Sequence, residues 1–178
     1  MLSDLLIRRT ATTASLVLAV VVLGTAATIA WPRLAGAVGS APAAPAPAYS
    51  VGTTVDVPAD WYAGAPRTLV LVAQASCGAC QQAAPYLREL IARLDGRAAV
   101  VMATPGLMPE YDLEYARSIG LDETGVRELP EGVRVRVTPT IVIVNQRGEV
   151  LGSWEGVGPE EQHAALTAAI EAAVDGGR

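Results

Sequence analysis

The sequence predicts an α/β fold, and three observations carry that prediction. Uninterrupted apolar runs rich in β-branched residues, at 68–73 (TLVLVA), 98–104 (AAVVMAT) and 140–145 (TIVIVN), have the composition of strands buried on both faces. A stretch with helical periodicity separates the first two runs, as the crossover between parallel strands requires. A further helical stretch closes the chain. The expected arrangement is a parallel core, then an antiparallel hairpin, then a covering helix.

The elements follow in order. Thr68–Ala73 is the first central strand, and Gln74–Ser76 forms a bend after it. A helix is predicted from Gly78 to Leu94, with Leu87, Leu90, Ile91 and Leu94 on one face and Gly96 beyond its end. Ala98–Thr104 is the second strand. Pro105 and Pro109 bracket a loop, and Glu110–Ile119 reads as a short helix ended by Gly120. The alternating run Val133-Arg-Val-Arg-Val137, then Thr140–Asn145 and Val150–Glu155, read as strands, the last two joined as a hairpin by Gln146-Arg-Gly-Glu. Pro159 opens the last helix, whose buried stripe is Leu166, Ile170, Ala173 and Val174. Trp61, Tyr62, Trp154, Tyr111 and Tyr115 read as packing residues. Asp122, Glu123, Glu128 and Glu131 read as a solvated acidic loop.

The chain has 178 residues, enough for one domain and an appendage. Its net charge of −5 offers no basic footprint for nucleic acid. All 13 basic residues are arginines. Two cysteines and one histidine exclude a disulfide-stapled scaffold and a four-ligand Cys/His zinc site, and no cofactor is expected.

The appendage reads as a membrane signal. Residues 1–10, with Arg8 and Arg9, form a short cytoplasmic N-terminus, and the uncharged apolar run 11–31 spans about 30 Å as a helix. Basic residues on the short side place the rest of the chain outside the cytoplasm, although Arg33 weakens the asymmetry. The reading is a single-pass anchor in a bacterial cytoplasmic membrane. The alternative is a signal peptide cut after Ala35-Gly36-Ala37. Residues 32–50, rich in Ala and Pro (APAAPAPA at 41–48), form a semi-rigid linker, and the folded domain is placed at 51–178. In such an oxidising compartment a thiol pair needs a redox explanation.

That pair is Cys77 and Cys80, in Cys-Gly-Ala-Cys between the first strand and the first helix. Closing so short a loop removes little unfolded-state entropy, so the pair would make a poor structural staple. Cys77 lies at the amino end of a helix, where free backbone N–H groups and the dipole stabilise a thiolate. A thiol there is expected to ionise near pH 7 or below, against about 8.5 for free cysteine. Cys80, one turn further in, is more shielded. Cys77 is therefore the expected attacking thiol and Cys80 the resolving one, while Gly78, having no side chain, keeps the approach open.

Taken together these residues resemble the thioredoxin fold, over roughly residues 51–174. Beyond the cysteines, Pro85 falls where thioredoxin-like proteins kink the active-site helix, Thr138-Pro139-Thr140 resembles the cis-proline loop, and Gln146–Val150 resembles the hairpin turn. With the anchor and the extra helix between Cys80 and Pro139, the chain is most similar to membrane-tethered TlpA-like thiol–disulfide oxidoreductases. The methylamine-dehydrogenase accessory proteins are a near relative. The resemblance implies a cis Pro139 that sets the Thr138 backbone beside the thiols, with Gly78 and Ala79 completing the substrate contact. It also implies a monomeric reductase of protein disulfides such as those of apocytochromes, re-reduced by a membrane electron donor. Departures are Ser76, where the family carries an aromatic residue, Leu71, where thioredoxins carry a buried acid, and Gly-Ala between the cysteines in place of Gly-Pro. They leave the proton-transfer group unidentified. Two alternatives stand: a disulfide oxidase or isomerase, and a copper-binding chaperone using Cys77 and Cys80 with His163 or Met102.

Overall fold

The apolar runs pair into one mixed sheet. The structure, a computed structural model, describes residues 49–131, 133 and 135–176, all within one compact unit, Ala46–Arg178. The predicted N-terminus at 1–10, the anchor at 11–31 and the linker up to residue 48 lie outside the described residues. Among those described, no helix is long and apolar enough to cross a membrane.

In chain order the elements are β1 (Arg67–Val72), α1 (Gly78–Leu94), β2 (Ala99–Thr104), α2 (Pro109–Ser118), β3 (Val126–Glu128), β4 (Thr140–Asn145), β5 (Val150–Glu155) and α3 (His163–Asp175). The sheet order is β3-β2-β1-β4-β5. β1, β2 and β3 run parallel, β4 is antiparallel to β1, and β5 is antiparallel to β4. This is the expected parallel core with a hairpin beside it. A short 3-10 turn at Glu160–Gln162 precedes α3, so Pro159 stands just before that turn rather than at the helix start.

Side-chain size sorts the two faces of the sheet. Leu69, Leu71, Met102, Ile141 and Ile143 point to the face that carries helix residues Leu87, Leu90, Leu94, Ile119 and Ile170. The alternate positions Val70, Val72, Val101, Ala103, Val142 and Val144 point to the other face, under Tyr49, Val55, Trp61 and Tyr62. Register aligns Val126, Met102, Leu71, Ile141 and Trp154 as one row across all five strands. Burying a large aliphatic side chain contributes about 1.5–3 kcal/mol, so this row and the helices above it form the thicker half of the core. Of the predicted stripe on the last helix, Ile170 and Val174 are buried, while Leu166 and Ala173 are only half-buried against the same core.

Two expectations are corrected. The described residues of the alternating run at 133–137 form no strand. The run leads directly into β4, whose two edges are already taken by β1 and β5. Val133 and Val135 instead pack on the valine face, and Arg136 pairs with Glu155 at the end of β5. The third parallel strand is Val126–Glu128, three residues whose Arg and Glu hide any strand pattern. Its inclusion also takes Glu128 out of the predicted loop, though the side chain stays exposed.

The N-terminal segment is tied to the hairpin. Val55 N–H donates to the Gly148 carbonyl, and a bridge pairs Thr54 with Glu149. Gly148 has φ +75°, and a Cβ there would lie 2.7 Å from the ring of Tyr62. Gly148→Ala therefore combines a left-handed backbone penalty with overpacking, and we expect a loss of about 2–4 kcal/mol. Urea unfolding measures it. An unchanged midpoint would show that the turn is indifferent to a side chain.

Candidate active site

β1 delivers the chain to the site, and α1 starts there. Cys77 is the N-cap of α1, with extended backbone (φ −84°, ψ 112°), and its Sγ accepts the N–H of Cys80 at 3.1 Å. A sulfur thus occupies the place that Ser or Asp takes at most helix starts. The same Sγ accepts the hydroxyl of Thr138 at 3.2 Å and lies 3.5 Å from the Thr138 carbonyl oxygen. The Thr138–Pro139 peptide is cis. Cys77 and Cys80 are joined as a disulfide, with Cα atoms 5.2 Å apart. Cys80 is fully buried, Cys77 is half-buried, and Ser76, Gly78 and Ala79 are exposed. Nothing lies within 4 Å of a Cβ built on Gly78, so the sulfur is open on that side.

The residues around the pair are held by bonds that no sequence spacing announces. Asp112 of α2 is completely buried; its two carboxylate oxygens accept the N–H of Ala75 and the N–H of Met108, each at 2.8 Å. Gln81 donates its side-chain amide to the Ala75 carbonyl at 2.8 Å. Tyr115, also on α2 and also buried, donates its hydroxyl to the Cys80 carbonyl at 2.8 Å. Arg88 of α1 donates to the carbonyl of Ser118 at the far end of α2. Burial pushes the Tyr115 phenol up to about 12, so it remains a neutral donor. Tyr111, by contrast, is 57% exposed and does not pack as predicted. Asp112 was missed because its only sequence signal is Pro109 at the helix start with an acid three residues later, which marks a helix end and says nothing of Ala75.

The other predicted site residues are placed as follows. Leu71 is fully buried in the helix-side core, so the buried carboxylate of this site comes from α2 and not from β1. Pro85 lies inside α1. It lacks the N–H that would reach the Gln81 carbonyl. Met102 is fully buried in the sheet. His163 opens α3, its ring 4.3 Å from that of Tyr86 and its Nε2 3.3 Å from the Gly158 carbonyl. Among the described residues no group of three or more His, Cys, Asp or Glu is set to hold a metal ion. A cleft of about 1020 Å³ runs from Ala79, Thr138 and Pro139 between α1 and α3 toward Glu89 and Glu171.

A sheet of this order, a Cys-x-x-Cys pair capping the first helix and a cis proline facing it define a thioredoxin-like fold. Among the solved structures it resembles are thiol:disulfide interchange proteins. One is a Chlorobium tepidum protein described as the interchange protein DsbE, with TM-score 0.54 and 19% identity over 70% of this chain and 98% of that one. Another is a thiol:disulfide interchange protein from Bacteroides, with TM-score 0.52 and 13% identity over 74% and 97%. A third is a secreted Mycobacterium tuberculosis disulfide oxidoreductase homologous to E. coli DsbE, with TM-score 0.50 and 14% identity over 70% and 96%. No family model and no curated protein matches the chain.

Two outcomes follow from this geometry. Thr138→Val removes a hydroxyl donor from the Cys77 sulfur, and one such bond is worth about 1 kcal/mol. Iodoacetamide alkylation of the reduced protein at pH 6 should slow about 3- to 10-fold; an equal rate would mean the hydroxyl does not support the thiolate. The second outcome concerns alkaline pH. The Tyr115 phenol is raised from 10.0 to about 12 in the folded state. Its contribution is therefore complete below about pH 10 and is lost as pH rises toward 12, amounting to about 2–3 kcal/mol. Urea unfolding between pH 9 and 12 should show a steeper decline for the wild type than for Tyr115→Phe, and parallel declines would refute it.

Proposed function

We propose that this protein is a thiol–disulfide oxidoreductase that reduces disulfides of protein substrates outside the cytoplasm. The observation that carries the reading is the Cys77 sulfur at the N-cap of α1, receiving the Cys80 N–H and the Thr138 hydroxyl while remaining open past Gly78. Both donors stabilise a negative sulfur more than a neutral one. In the reduced protein the Cys77 thiolate attacks one sulfur of the substrate disulfide, forming a mixed disulfide and releasing the other as a thiolate. Cys80, deprotonated, then attacks the Cys77 sulfur and frees the second substrate thiolate. Two electrons pass from the protein pair to the substrate, and Cys77 and Cys80 end as a disulfide. Thr138, next to the cis proline, offers backbone groups to an extended substrate segment, with Gly78 and Ala79 below it.

The reducing direction rests on the resemblance to membrane-tethered relatives that reduce targets such as apocytochromes. The extracytoplasmic placement rests on Arg8, Arg9 and the apolar run 11–31. On this reading a membrane electron donor restores the dithiol, and the protein works as an anchored monomer. An oxidase of the same chemistry would have a reduction potential more positive by on the order of 100 mV or more than thioredoxin's. No observation favours the copper reading, since Met102 belongs to the sheet core and His163 is engaged by Tyr86 and Gly158.

Cys80→Ala in the native host is the direct test. The mixed disulfide on Cys77 then cannot resolve, and a substrate protein should accumulate covalently bound, releasable by dithiothreitol. Cys77→Ser should abolish insulin-disulfide reduction by the purified domain. Trapping nothing above a Cys77→Ala background would sink the enzyme reading.

A further inference from the structure

Helix α2 lies outside the segment that carries the sulfurs, yet it grips that segment at both ends. Ahead of Cys77, the Asp112 carboxylate takes the Ala75 N–H. Behind it, the Tyr115 hydroxyl takes the Cys80 carbonyl. The two residues are three apart, on one face of α2, and they hold points on either side of the first turn of α1. Cys80 is where position matters most: its N–H, on the peptide just before the carbonyl that Tyr115 holds, is the donor to the Cys77 sulfur. The next carbonyl along, that of Gln81, has lost its usual helical donor to Pro85. The first turn of α1 is thus the part of the helix with least internal support, and the Tyr115 hydroxyl anchors it from outside.

We infer that Tyr115 and Asp112 are positioning residues for the reactive sulfur: by fixing the Ala75 N–H and the Cys80 carbonyl, they restrain the turn between these points, keep the Cys80 N–H aimed at Cys77 and so hold its thiolate stable. This deepens the function proposed above and rests on Cys77 being the nucleophile. Neither residue touches the sulfurs. Their effect passes through the backbone, as an outer hydrogen bond acts on a metal ligand. Tyr115 suits the task because its hydroxyl is buried and stays protonated, and its partner is a main-chain carbonyl that no substitution in α1 removes.

The test is the ionisation of Cys77 in the reduced full chain, followed by thiolate absorbance and by the pH profile of iodoacetamide alkylation. Tyr115→Phe keeps the ring and the packing and removes only the hydroxyl. The thiolate population at pH 6 should fall about 3- to 10-fold, with a matching drop in alkylation rate, while Tyr111→Phe, an exposed hydroxyl on the same helix, changes nothing. Melting curves accompany each variant. A lower melting temperature with an unchanged ionisation profile would make Tyr115 merely structural and overturn the inference. Asp112→Asn supplies an independent reading should Tyr115→Phe not fold. Removing a negative charge would by itself favour the thiolate, so a fall in thiolate population reports lost positioning, and a rise overturns the claim for Asp112. A wild-type Cys77 that ionises like free cysteine would instead refute the proposed function, which separates the two failures.

Discussion

A sulfur atom caps a helix in this protein, and the geometry of the site depends on that contact. A helix start leaves backbone N–H groups without partners, and ordinary sequences satisfy them with Ser, Thr, Asp or Asn. Here Cys77 does so, which makes the capping atom and the proposed nucleophile one and the same. The cap is present in the disulfide form, and a hydrogen bond to a charged sulfur is stronger than one to a neutral sulfur. Stability and reactivity therefore draw on one bond. Thr138 adds a second donor from a loop 61 residues away in sequence, so the site exists only when β1 and β4 are paired.

The two faces of the sheet divide the labour. The helix-side face, built from Leu, Ile and Met, carries α1 and with it the sulfurs. The valine face is closed by a segment with no regular helix beyond one short turn, using Tyr49, Trp61 and Tyr62 as large covers over small side chains. Big residues on one side and small on the other let helices sit on the first at ordinary packing distance, while the second needs only a thin layer. The chain uses aromatic rings there because each covers much area for few ordered residues.

Much of this was legible in the sequence where a pattern was local. The helix at about Gly78–Leu94 was legible because the stripe Leu87, Leu90, Ile91 and Leu94, the following Gly96 and the preceding apolar strand all mark one span. The cysteine pair was visible because the chain has only two cysteines, and Pro85 and Thr138-Pro139 because the resemblance to the thioredoxin fold assigns them places. What stayed hidden was tertiary. The run at 133–137 has a strand's alternation, yet its described residues join no strand, and β3 pairs with β2 without a strand pattern. Asp112 and Tyr115 look like ordinary members of an acidic helix. Their hydrogen bonds to Ala75 and Cys80 span 37 and 35 positions, and no window of sequence contains both partners.

The path from β1 into the site has one more consequence. β1 is paired on both edges, buried on both faces, and ends only a few residues before Cys77. Ala73, just past its end, is fully buried and donates its N–H to Ala103, and Ala75 is already held by Asp112 and Gln81. The turn that carries Cys77 is therefore anchored to the core on its strand side. Loops open at little cost while core strands open only with the whole domain. The Cys77 turn is tied to the second group through Ala73 and Ala75, so pulling it away on its strand side disturbs the core as well.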